Sequence, residues 1–148
     1  IERIRPGRRW SEIARWMETA TLEMGYDLIT EFVGHGIGTD LHEPPKVPCY
    51  WSGFIGQDFV LEPGMILAIE PMLVLQDPEG AEDFLPAVGD QHALRRALIL
   101  TAPDGWTIRT VSGAVSCHEE YMVSIGESEP EILTLGTPRV DYLGKAAG

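Results

Sequence analysis

The chain has 148 residues, 44% of them hydrophobic, and sets 23 acidic against 11 basic side chains for a net charge of −12. That length suits one domain with a sizeable core, and the acidic balance argues against a broad nucleic-acid or anionic-membrane surface, which needs clustered Lys and Arg. The longest apolar runs, Met65 to Ile69 and Ala97 to Leu100, are too short to cross a bilayer, and no signal-peptide pattern opens the chain, so a cytoplasmic protein is expected.

The chain begins at Ile1, not Met, which admits a processed product, an expression fragment or a partial reading frame. Arg3, Arg5, Arg8, Arg9 and Arg15 make the first fifteen residues basic, a pattern that reads as a solvated helix face. After Pro6-Gly7, apolar residues recur at Trp10, Ile13, Ala14, Met17, Ala20 and Met24. That spacing is one face of an amphipathic helix, which Gly25 stops. Tyr26 to Val33 then reads as a short strand-like segment.

Gly34-His35-Gly36-Ile37-Gly38-Thr39-Asp40-Leu41-His42-Glu43-Pro44-Pro45 follows. Three glycines and two prolines are poor in a helix or strand interior, so a fixed irregular loop running on to Gly56 is expected. Its imidazoles, His35 and His42, suit a metal ligand and a hydrogen-bond donor. The alternative is a satisfied histidine beside a glycine turn.

Leu61-Glu62-Pro63-Gly64 is a turn that releases Met65 to Ile69, an apolar run expected as a strand buried on both faces. Glu70 ends it. A carboxylate there either reaches solvent or must be paired or coordinate a cation. Gln76 to Pro103 is less patterned, and Ala93 to Leu100 can be strand or helix. Asp104-Gly105 is a turn before an alternating strand, Trp106 to Val111, with a hairpin partner at Val115 to Ile125. In that partner Cys117, Glu119, Tyr121, Val123 and Ile125 share the expected core face, while His118, Glu120, Met122 and Ser124 point the other way. A competing register turns Glu119 inward. Ile132 to Leu135 is a last short strand, and Leu143 to Gly148 a tail. Cys49 and Cys117 are far apart and in no metal-type pairing, which fits free thiols in a reducing compartment.

One imidazole, His35, and two carboxylates, Glu70 and Glu120, therefore fall on strands or strand ends flanked by buried sequence. Such mixed N/O ligands suit Mn, Co, Fe or Zn, and hydrolysis is the natural reaction class. No His-Glu-x-x-His helix, Gly-x-Ser-x-Gly elbow or phosphate-binding glycine loop is present, so zincin, α/β-hydrolase and P-loop readings lack support.

Gly34 to Gly38 with His42-Glu43, Leu61 to Met65 leading to Ile69-Glu70-Pro71-Met72, Asp104 to Thr107, Ser116 to Glu120 and Pro130 to Thr134 together resemble the C-terminal half of a methionine aminopeptidase, in order and in spacing. The resemblance runs from about Ile1 to Leu135 and makes residues 76–103 look like a loop insertion. It implies an α+β pita-bread fold, a curved antiparallel sheet covered by helices, with 1–148 as part of one catalytic domain. It implies a metalloaminopeptidase with two divalent metal ions that removes the initiator methionine from peptides and nascent chains. His35, Glu70 and Glu120 would be metal ligands, Glu70 also handling protons and Glu120 bridging the two metals. His42 would hydrogen-bond the substrate near the scissile bond, and Trp106 and Leu41 would wall the methionine pocket. The family more often has an aromatic residue where Leu41 stands, and Gln-aromatic-Glu-His-Thr where this chain has His118-Glu119-Glu120-Tyr121-Met122. In the family two aspartate ligands and another histidine come from the N-terminal half, to which nothing here corresponds. Weak metal binding and little catalysis by this chain alone are the expectation. An Xaa-Pro aminopeptidase or creatinase-like hydrolase of the same fold, and a non-catalytic peptide-binding module, are the alternatives.

Overall fold

The computed structural model describes residues 1–51, 53, 58–76 and 99–134. Among these described residues a helix, α1 (Trp10–Glu23), is followed by ten short strands: β1 (Tyr26–Leu28), β2 (Gly34–Gly36), β3 (Glu43–Val47), β4 (Ile66–Ile69), β5 (Met72–Leu75), β6 (Ile99–Thr101), β7 (Ile108–Thr110), β8 (Ser116–His118), β9 (Tyr121–Ile125) and β10 (Pro130–Ile132). The strands form a five-stranded sheet in the order β10-β9-β4-β2-β3, a three-stranded sheet β1-β5-β8 and the hairpin β6-β7. Each pairing is antiparallel.

Helix α1 supplies Trp10, Ile13 and Ala14 to a core completed by Val47, Cys49, Leu61, Leu67, Ile69, Val123 and Ile125. Its apolar stripe therefore lies on one face of the five-stranded sheet. Burying each of the larger aliphatic side chains there contributes roughly 1.5–3 kcal/mol. The first turn of α1 is closed by a residue distant in sequence: the Ser11 amide and hydroxyl both donate to the Asp58 carboxylate, each at 2.9 Å. Burial pushes the Asp58 carboxyl up, but the two Ser11 hydrogen bonds and the Arg9 guanidinium outweigh it and hold the group below the usual carboxylate range. At the other end Gly25, at φ +81°, takes the left-handed conformation that ends the helix.

Several expectations are corrected. The segment expected as an irregular loop has strand at both ends, because Gly34 and Gly36 are where the sheet closes up: a Cβ at Gly34 would meet the carbonyl oxygen of Ala68, and one at Gly36 that of Pro44. The two prolines sit on β3, an edge strand, at the irregularity where its register with β2 shifts, so neither N–H is needed by a regular ladder. Strand β7 pairs with β6 and not with Val115 to Ile125. That second segment divides instead, β8 joining β5 and β9 joining β4. Cys117 is consequently exposed, while Val123 and Ile125 are core. The strand-like reading of Tyr26 to Val33 shrinks to β1, and the last described strand is β10, slightly earlier than expected. Most of the expected insertion, residues 77–98, and the tail from Leu143 lie outside the described residues.

Candidate metal centre

The division between β8 and β9 builds the site. Chain segments β4-β5 and β8-β9 run antiparallel, and both pass from one sheet to the other at the same level. Ile69 lies opposite Tyr121 on one side of the crossing and Met72 opposite His118 on the other. The register carried through sets Glu70 opposite Glu120, and the Glu119 amide donates to the Pro71 carbonyl across the gap at 3.4 Å. Side chains alternate along strands. His35 is paired with Ala68, and Ala68 with Met122, so His35, Glu70 and Glu120 share the sheet face turned away from α1.

One ligand atom each from His35, Glu70 and Glu120 lie within 4.8 Å of one another. The orientation of His35 follows from its other nitrogen: Nδ1 is 2.9 Å from the Gly36 carbonyl oxygen, which can only accept, so Nδ1 carries the proton. In the neutral ring Nε2 then presents a bare lone pair, 3.7 Å from Glu70 Oε1. A histidine held this way is the usual preparation for metal ligation. An imidazole lone pair and two carboxylates facing one another are electron-rich groups that repel until a cation sits among them, and this N/O donor set fits a hard or borderline divalent ion.

His42 packs its ring against that of His35, with centroids 4.2 Å apart. It is carried by a short loop braced by Glu43, whose Oε1 accepts the Asp40 amide at 2.7 Å. A Cβ at Gly38 would collide with the same carboxylate, which explains the third glycine. Below the site the Glu70 amide hydrogen-bonds the buried Cys49 sulfur. Burial, partly opposed by that hydrogen bond and reinforced by the Glu70 charge, pushes this thiol up to about 12.

His35, His42, Glu70 and His118 line an open cavity of about 960 Å³ whose apolar walls include Ile29, Phe32, Met72, Ile108 and Trp106. Trp106 is 88% exposed, at the tip of the β6-β7 hairpin. Asp104 shapes that tip by accepting the Trp106 and Thr107 amides, each at 2.9 Å. Leu41 is 64% exposed and lies outside the lining residues. A smaller cavity of about 220 Å³, beside Asp58 and Trp51, is lined by none of the candidate ligand or substrate-binding residues.

Absent from the expected site was His118, whose Nε2 lies 3.2 Å from Glu70 Oε2. The signal was its two-residue spacing from Glu120, which places both on one side of an extended chain.

Among curated proteins, the chain is 34% identical to methionine aminopeptidase 1 of Bacillus subtilis over 134 residues, 90% of this chain and 46% of that protein. It is 35% identical to the methionine aminopeptidase of Clostridium perfringens, covering 91% of this chain and 46% of that protein. The chain thus spans about half the length of the curated relatives it matches. Among solved structures, methionine aminopeptidase from Thermotoga maritima superimposes with a TM-score of 0.69 at 34% identity, covering 90% of this chain and 45% of that one. Prolidase from Pyrococcus furiosus matches with a TM-score of 0.55 at 22% identity, a likeness of fold alone, over 93% of this chain and 28% of that one. These antiparallel sheets with their covering helix are therefore part of the pita-bread fold. The sequence model of one family matches residues 1–125, and on that match the chain belongs to the metallopeptidase family M24.

Proposed function

We propose that this chain is the C-terminal part of the catalytic domain of a cytoplasmic aminopeptidase that removes methionine from peptide and nascent-chain N-termini, with two divalent ions drawn from Mn, Co, Fe or Zn. The observation that carries the reading is the convergence of one ligand atom each from His35, Glu70 and Glu120, with His35 and Glu70 lining a cavity with apolar walls. The partial span of the relatives supports 1–148 as one portion of a larger domain, with further donors contributed from outside it.

His35, Glu70 and Glu120 would hold the metal. A bound divalent ion supplies Lewis acidity toward the scissile carbonyl and makes water acidic enough to attack near neutral pH. Glu70, 12% exposed in its side chain, accepts the proton of the attacking water and returns it to the departing amine. His42, steadied against the His35 ring, donates a hydrogen bond to the carbonyl oxygen as negative charge develops there. Trp106, Phe32, Met72 and Ile108 give a flexible thioether an apolar wall to pack on.

The test is methionine release from a Met-Ala peptide, with Mn or Co, by the chain alone and complemented with the N-terminal half of a relative. An Xaa-Pro peptide runs alongside. Metal-dependent release of methionine is expected from the complemented protein, falling about 10²–10⁴-fold in Glu70→Gln and about 10²–10³-fold in His42→Ala. No release, or release indifferent to Glu70→Gln, rejects the proposal, and preference for the Xaa-Pro peptide replaces it with the Xaa-Pro aminopeptidase reading.

A further inference from the structure

We propose that His118 is a metal ligand, holding a cation on the opposite oxygen of Glu70 from the one that faces His35. The inference rests on the metal-binding reading above and adds a residue to it.

The Glu70 carboxylate lies between two imidazoles: Oε1 is 3.7 Å from His35 Nε2 and Oε2 is 3.2 Å from His118 Nε2. Two ligand atoms each about 2.1 Å from one ion, at an angle between octahedral and tetrahedral, stand roughly 3.0–3.4 Å apart. The His118–Glu70 separation falls inside that window. His118 ends β8, paired with Met72, two residues beyond Glu70 on the partner segment, so the strand register brings it to the carboxylate. Its side chain is 49% exposed and lines the same cavity, leaving the nitrogen within reach of an ion entering from solvent. His118 is thus a further donor from the chain itself, outside the group of His35, Glu70 and Glu120: with Glu70 Oε2 it would hold a cation beside that group.

The competing explanation of the 3.2 Å contact is a hydrogen bond from the His118 Nε2–H to Glu70. His118→Gln separates the two, since a carboxamide N–H can keep a hydrogen bond but the side chain supplies no imidazole nitrogen. Native mass spectrometry and calorimetric titration with Co(II) count the ions held by the chain, and pulsed EPR on the Mn(II) form counts coordinated imidazoles. Circular dichroism checks that each variant is folded, as expected for a half-exposed position.

Wild type is expected to take up two Co(II) ions, the second more weakly, and to show two coordinated imidazoles. His118→Gln and His118→Ala should keep the first ion, lose at least tenfold in affinity for the second, and show one imidazole. If both variants bind two ions with unchanged affinity and an unchanged imidazole count, or if wild type binds one ion with a spectrum His118→Gln does not alter, His118 is no ligand while the centre of His35, Glu70 and Glu120 stands. If wild type binds no Co(II) at millimolar concentration, the metal-binding reading fails and the role of His118 fails with it.

Discussion

The two faces of the five-stranded sheet are made by the same strands and are nearly opposite in chemistry. Toward α1 the sheet presents Leu67, Ile69, Val123 and Ile125, each at most 4% exposed and all apolar. On the reverse it presents His35, Ala68 and Met122, with Glu70 and Glu120 where the strands leave it. One face lowers the free energy of the folded chain through dispersion and water exclusion. The other gathers groups whose mutual repulsion works against folding, as sites built for a ligand commonly do. The strand backbone serves both because its side chains alternate, so substitutions one residue apart should have effects of different kinds.

The sharpest contrast is Leu67→Ala against Glu70→Gln. Leu67 is fully buried, and truncating it is expected to cost about 2–5 kcal/mol through lost burial and an unfilled cavity. Glu70→Gln should leave the denaturation midpoint unchanged or raised, since it removes one of two neighbouring carboxylates. Urea titration of both variants tests this, and a Glu70→Gln variant as unstable as Leu67→Ala would erase the distinction between the faces. Gly34→Ala joins the two effects, because its Cβ would press on the Ala68 carbonyl and force β2 away from β4, carrying His35 with it. A loss of about 1–3 kcal/mol in stability is expected, together with weakened Co(II) binding.

Asp58→Ala acts on the helix that covers the apolar face and should cost about 1–2 kcal/mol, the range for a lost helix cap. Because the folded-state pKa of Asp58 is lowered, its stabilisation is complete above the unfolded value of about 3.9. It is lost as pH falls through the folded-state pKa, so wild type and Asp58→Ala should converge in stability at acid pH and differ at neutrality. The gentlest probe changes no residue. Cys117 is exposed and should react with a maleimide in the native protein, whereas Cys49, 6% exposed with its thiol pushed up to about 12, should react only on unfolding.

Local patterns were readable wherever one element decided them. The helical spacing from Trp10 and the stop at Gly25 correspond to α1, and the apolar run after the Pro63-Gly64 turn corresponds to β4. The close packing around Gly34 and Gly36 was not readable, because glycine tells equally of a turn and of a neighbour pressed close, and the neighbour is far away in sequence. The same limit hid the parting of β8 from β9. Continuous alternation through Val115 to Ile125 reads as one strand, and the pairing with β4 and β5 that divides it is a long-range choice.

By itself the sequence determined which residue types were available for chemistry, His35, His42, Glu70 and Glu120, and which stretches were bound to be apolar helix or buried strand. It could do so because residue identity and short-range periodicity are local properties. Only the tertiary structure decided that Glu70 and Glu120 stand opposite each other at a shared crossing between sheets, and that His118 comes with them. Strand register is fixed by hydrogen bonds between segments some fifty residues apart, and no local pattern encodes it.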